Sequence, residues 1–193
     1  MIIGIVGLPK SGKTTVFNAV TGSTAQTAAF STGEESANVA MVKVPDPRLE
    51  RLFTYHPRSK KINVELKFMD FAPFQKGMGE KGFPAKHLGD LRACDALVLV
   101  VRAFEDEGVP HPDGAVDAAR DLENLLLELT FADIEVAERR LERIEHSFAR
   151  SSKEERPKLE KEKKLMLQLK EALEGGAGIE TMEFEPDDAQ LVR

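Results

Sequence analysis

A chain of 193 residues, 41% hydrophobic and 31% charged, is long enough to bury a substantial core and suits one domain with an appendage. Its net charge of −6 and lack of a basic tail argue against indiscriminate nucleic-acid binding while leaving room for a local basic patch, and no sequence-specific DNA binding is expected. No run approaches the roughly 18 apolar residues of a membrane span, and the first residues read as a core strand rather than a signal peptide, so a cytoplasmic protein without membrane contact is expected.

In chain order, the apolar run Ile2, Ile3, Ile5, Val6 predicts a strand and Thr15 to Val20 an amphipathic helix. Residues 21–37 are small and polar without period, which predicts a loop. Val39 to Val44 alternates as a strand. Asp46 is placed to cap a short helix from Pro47 to Tyr55. Ile62 to Met69 alternates again and ends on Asp70. A loop follows that carries Gly77, Gly79, Gly82 and Gly89 with Pro73 and Pro84. Ala96 to Val101 is continuously apolar and β-branched, the pattern of a strand buried on both faces. Strands alternating with helices predict an α/β fold.

From Ala118 to Ser147 the pattern turns helical, with Leu122, Leu125, Leu126, Leu129, Ile134, Ala137, Leu141, Ile144 and Phe148 near helical spacing. Ser151, Ser152 and Pro157 break it, and a second helix runs to about Glu174, ended by Gly175-Gly176. Two such helices predict an antiparallel hairpin of coiled-coil type, whose interleaved charges read first as a solvated face and second as a docking arm. The expected division is an α/β portion over 1–117, the hairpin over 118–175 and a return segment over 176–193.

Between the first strand and the first helix stands Gly7-Leu-Pro-Lys-Ser-Gly-Lys-Thr14, a complete G-x-x-x-x-G-K-[ST] phosphate loop in its required strand–loop–helix context. Gly7 and Gly12 permit the backbone to turn its N–H groups inward as an anion nest. Pro9, Lys10, Ser11, Gly12, Lys13, Thr14 and Thr15 are therefore the expected nucleotide-binding residues, with Lys13 neutralising the phosphates as the catalytic side chain. The Thr14 hydroxyl, Asp70 at a strand end, and Thr32 in the loop (Thr27 behind it) are the expected Mg²⁺ ligands. Cys94 lies among apolar neighbours and reads as a small core residue, and the four histidines lack ligand spacing.

Three further segments carry a resemblance: Val44-Pro-Asp-Pro-Arg-Leu-Glu-Arg-Leu52, Cys94-Asp-Ala-Leu-Val-Leu-Val-Val-Arg-Ala-Phe-Glu-Asp106, and Ala132-Asp-Ile-Glu135 continuing to Arg139-Arg-Leu-Glu-Arg143. With the phosphate loop, they resemble the YchF subfamily of Obg-like P-loop NTPases over essentially the whole chain. The resemblance implies a Ras-like nucleotide domain with an inserted helical hairpin, Mg²⁺-dependent hydrolysis of ATP or GTP, and association with the ribosome, the hairpin carrying the partner. Three departures stand out. The family's Asp-x-x-Gly reads Asp70-Phe-Ala-Pro73 here, and proline has no N–H for the γ-phosphate. Phe74 stands where classical GTPases place a water-orienting glutamine, with Gln75 one step on. The family's base-reading motif and the last strands of its nucleotide domain have no counterpart before Arg193, so the sequence reads as a fragment in which ATP and GTP are not distinguished. Slow hydrolysis is expected. The alternatives are a non-hydrolysing nucleotide-binding scaffold that presents the hairpin and, less well supported, a small-molecule kinase.

Overall fold

The computed structural model describes residues 1–22, 38–78, 85–185 and 188. Its sheet holds β1 (Ile2–Gly7), β2 (Asn38–Lys43), β3 (Glu65–Asp70) and β4 (Ala96–Val100) in the order β2-β3-β1-β4. β1 pairs in parallel with both β3 and β4, whereas β2 runs antiparallel to β3. The helices are α1 (Lys13–Thr21), α2 (Pro47–Tyr55), α3 (Ala85–Arg92), α4 (Ala118–Phe148) and α5 (Arg156–Glu174), with a 3₁₀ turn at Ile179–Thr181. This is the expected α/β architecture with a C-terminal helix pair. α1 begins two residues earlier than Thr15, and β3 begins at Glu65 because Ile62 and Val64 lie exposed in the segment that leads into it.

Contacts divide the chain into two compact units. The first holds Met1–Lys76 and the chain from α3 to Leu125; the second holds Gly77 and the chain from Leu126 on. In the first, Phe17 of α1 is buried against Ile5 and Phe68, flanked by Ile3, Val42, Leu66 and Val100. α2 is capped as its sequence predicts, the Asp46 carboxylate accepting the Arg48 N–H at 2.9 Å. In the second, Ile144 of α4 packs with Leu165, Met166, Leu169 and Leu173 of α5. Burial of such side chains stabilises by about 1.5–3 kcal/mol each. Lys163 to Glu145 (3.0 Å) and Lys170 to Glu138 (2.6 Å) tie the flanks of the pair in antiparallel register. Pro157 lies in the first turn of α5, where its missing N–H costs nothing, rather than in the break.

Two expectations are corrected. β4 lies at the sheet edge with β1 as its neighbour among the described residues, so Leu97 and Val98 are 37% and 40% exposed, not buried on both faces. On α4, Leu122 and Leu126 are exposed; the buried positions of its first half are Asp121, Leu125, Glu128 and Ala132, with Ala137 and Ile144 buried further on as expected. Two carboxylates share that seam because each has a partner. Asp121 meets His111 Nε2 at 2.8 Å and the Arg120 guanidinium at 2.9 Å, and Glu128 accepts the Gly77 N–H. A buried carboxylate so paired avoids the desolvation cost that a hydrophobicity pattern assumes.

Candidate nucleotide site

The loop between β1 and α1 takes the backbone geometry that its glycines permit. Gly12 caps α1 in the left-handed region (φ 89°), and Lys10, a non-glycine residue, is also left-handed (φ 63°). Alternating right- and left-handed residues before a helix turn successive N–H groups toward one point, and the helix dipole adds to the field there. Gly7 is required by close approach: a Cβ at this position would stand 2.5 Å from the Val100 carbonyl oxygen and 2.7 Å from Ser11 Oγ.

Three predicted side chains converge. Lys13 is buried, and its ammonium forms an ion pair with the buried Asp70 carboxylate at the end of β3. Thr14 Oγ1 donates to the other Asp70 oxygen at 2.9 Å. Asn38, which sequence reasoning missed, donates to that same oxygen at 3.2 Å. The β2–β3 register sets Asn38 opposite Asp70, a long-range pairing that leaves no local trace in the sequence.

The other predicted residues are placed as follows. Lys10 Nζ is directed to the Pro110 carbonyl at 3.2 Å rather than held in the loop. Ser11 is buried and its hydroxyl makes no hydrogen bond, an orphaned donor inside the loop. Pro9 is half-buried and Thr15 is exposed in the first turn of α1. Thr32 and Thr27 lie outside the described residues. Cys94 is half-buried, under Gly4, and burial pushes its thiol up from the ordinary value, so no ready thiolate stands there.

The segment after β4 walls one side of the loop. Arg102, 2% exposed, donates to the carbonyls of Phe104 (3.0 Å) and Val109 (2.7 Å), and its guanidinium lies 5.0 Å from the Phe104 ring centroid. Phe104 stays half exposed, with its ring 3.9 Å from where a Gly12 Cβ would stand. An exposed aromatic held beside a phosphate loop is a second feature that the sequence did not single out.

A family model described as "50S ribosome-binding GTPase" matches residues 2–139. This chain belongs to the YchF group of Obg-like P-loop NTPases. It is 36% identical over 191 residues to "Ribosome-binding ATPase YchF" of Bacillus subtilis, covering 98% of this chain and 51% of that protein. It is 34% identical to "Obg-like ATPase 1" of Oryza sativa over 98% of this chain and 48% of that protein. The solved structure of the Schizosaccharomyces pombe YchF GTPase superposes with a TM-score of 0.68 at 29% identity, covering all of this chain and 52% of that one. The chain thus spans about half the length of the YchF relatives it matches.

Two of the departures from the YchF pattern read from the sequence fall in the segment after Asp70. Pro73 offers no N–H, and the next N–H along, that of Phe74, is committed to the Gly7 carbonyl at 3.0 Å. The Phe74 side chain is fully buried, so it is a core residue, while Gln75 is exposed. His87 of α3 lies between Phe71 and Phe74, at 5.5 and 5.2 Å between ring centroids. Burial lowers its pKa from the ordinary 6.5, opposed by the Asp90 charge. A depressed histidine favours the folded state fully only above its unfolded value, and that contribution is lost as pH falls below it. Melting of the wild type should therefore decline more steeply than that of His87→Gln between about pH 7.5 and 5.5, the two curves converging on the acid side. Parallel curves would show that His87 is not held neutral by the fold.

Proposed function

We propose that this chain binds a nucleoside triphosphate with Mg²⁺ at the Gly7–Thr15 loop, hydrolyses it slowly, and acts in contact with the ribosome through its helical hairpin. The observation that carries the nucleotide reading is the buried Lys13–Asp70–Thr14 cluster at the mouth of a left-handed phosphate loop. The partner is inferred from the relatives named ribosome-binding ATPases.

Asp70 and Thr14 suit Mg²⁺ chemically. Both offer hard oxygen atoms, 2.9 Å apart, and Asp70 already holds a cation, the Lys13 ammonium. Bound there, the ion would neutralise charge on the β- and γ-phosphates. Lys13 exchanges the Asp70 carboxylate for phosphate oxygens, and the loop N–H groups orient the chain of phosphates. No side chain at position 74 reaches a water, since Phe74 is buried, and this supports a slow reaction. Base preference between ATP and GTP is left open by a site that reads phosphates alone.

The second reading, a scaffold that binds nucleotide without sensing its γ-phosphate, is favoured by Pro73. Calorimetric titration with non-hydrolysable ATP and GTP analogues and with both diphosphates separates the two. Tighter triphosphate binding supports the switch; equal affinities support the scaffold; no binding removes the nucleotide reading. Pro73→Gly restores one N–H, a charge-assisted bond worth about 1.5–3 kcal/mol. It should raise the triphosphate preference by about tenfold or more. An unchanged preference and rate would mean that the missing N–H is not the defect.

A further inference from the structure

Between Lys43 and Lys61 stand six cations and two carboxylates, in a chain whose net charge is −6. Both carboxylates are committed locally. Asp46 caps α2 and pairs with Arg48 at 3.1 Å, and Glu50 holds Lys61 at 2.6 Å. Lys43, Arg51, Arg58 and Lys60 are exposed, with no carboxylate within ion-pair distance among the described residues. α2 buries none of its residues. Helical spacing places Arg48, Arg51, Leu52 and Tyr55 along one side, and Tyr55 is 68% exposed. Lys61 also lies 5.8 Å over the Phe53 ring, which ties the turn bearing Arg58 and Lys60 back to the helix.

We propose that α2 and the turn after it form a docking face for single-stranded RNA. Lys43, Arg51, Arg58 and Lys60 meet the phosphates, and Tyr55 is the platform on which an unpaired base stacks. This inference rests on the ribosome-directed reading above, and it gives the nucleotide-binding portion an RNA contact of its own. Charge complementarity decides the occupant. Along the hairpin flanks Arg139, Arg140, Lys163 and Lys170 are matched to Glu135, Glu162, Glu145 and Glu138, so those cations are neutralised in place, whereas Lys43, Arg51, Arg58 and Lys60 have no such partner among the described residues. A membrane surface fits less well, because a helix lying in a lipid interface needs a broad apolar side, and this short helix exposes two large apolar residues among its charges.

The test is fluorescence anisotropy of the whole chain with a labelled, unstructured RNA of about a dozen nucleotides across a salt series. The variants are Arg51→Glu/Arg58→Glu/Lys60→Glu, Tyr55→Ala, and the hairpin-tip control Arg150→Glu/Lys153→Glu/Lys158→Glu, each with unchanged melting and triphosphate-analogue affinity. The α2 triple variant should lose at least about thirtyfold in affinity, and its salt slope should fall by about 2, as three phosphate contacts are lost. Tyr55→Ala should lose about tenfold with the slope unchanged, the mark of stacking rather than charge. Absence of RNA binding by the wild type, wild-type binding by the α2 triple variant, loss confined to the tip control, or binding to phosphatidylserine vesicles in place of RNA would each overturn the proposal. Co-sedimentation with ribosomes separates the two readings. Ribosome binding that survives the α2 substitutions sinks this inference alone, and a wild type that does not co-sediment sinks the ribosome reading.

Discussion

Lys13→Ala is expected to lower affinity for a triphosphate analogue by about a hundredfold, since a charge-assisted contact to the phosphates is worth about 1.5–3 kcal/mol and Lys10, the other cation of the loop, is directed to the Pro110 carbonyl. The same pair makes a prediction about stability, and it is asymmetric. Without Lys13, the Asp70 carboxylate keeps two neutral donors, Thr14 Oγ1 at 2.9 Å and Asn38 Nδ2 at 3.2 Å. Without Asp70, the ammonium loses its carboxylate while its side chain remains 6% exposed. Removing one partner of a buried pair costs about 3–5 kcal/mol when the remaining charge is uncompensated. Asp70→Ala should therefore melt on the order of ten degrees below wild type, Lys13→Ala by clearly less, and Asp70→Asn between them. Thermal melts of the three variants check the order. If Lys13→Ala proved the least stable, the two donors from Thr14 and Asn38 would not be supporting the carboxylate.

Gly7→Ala should destabilise the chain by about 3 kcal/mol or more and abolish nucleotide binding with it. The added Cβ would stand 2.5 Å from the Val100 carbonyl oxygen, a backbone atom of the adjacent strand in the parallel ladder that pairs Gly7 with Val100. A backbone carbonyl fixed in a ladder has no rotamer by which to withdraw. Gly4→Ala is the matched comparison. Its Cβ would meet Leu97 Cδ2 at 2.7 Å, Phe71 Cε2 at 2.8 Å and Cys94 Sγ at 3.0 Å. All three are side-chain atoms, and Leu97 is partly exposed, so the neighbours can give way at a cost of about 1–3 kcal/mol. Urea unfolding of the two variants measures the difference. Equal losses would mean that β1 and β4 separate readily at Gly7.

The parts of the site that the sequence made legible are those whose chemistry is written in consecutive residues. Gly7 to Thr14 has its meaning in spacing alone, and Asp70 was legible because a phosphate loop calls for a carboxylate at the end of a neighbouring strand. Asn38, Arg102 and Phe104 were not legible, because each matters through pairing between strands or through a turn's carbonyls, neither of which leaves a periodicity. The α4 seam misled for a related reason. Asp121 and Glu128 are polar letters in an apolar position, and only their partners His111 and Gly77 make the burial inexpensive. β4 misled in the opposite sense: its composition encodes cover on both sides, and the described residues supply one neighbouring strand.

The sheet and the helix pair differ in how far apart along the chain their partners lie. Ile2 donates to Asp95 across 93 positions, and β1 pairs with strands on both sides of it that come much later in sequence. The helix pair is closed by residues such as Arg140 and Glu162, 22 positions apart. Loop closure delays the first kind of contact far more than the second. The hairpin is therefore expected to form early and from its own sequence, and the phosphate loop to acquire its shape only once β4 has joined β1. Nucleotide binding as proposed above would then depend on the finished sheet, whereas the helix pair would be in place beforehand.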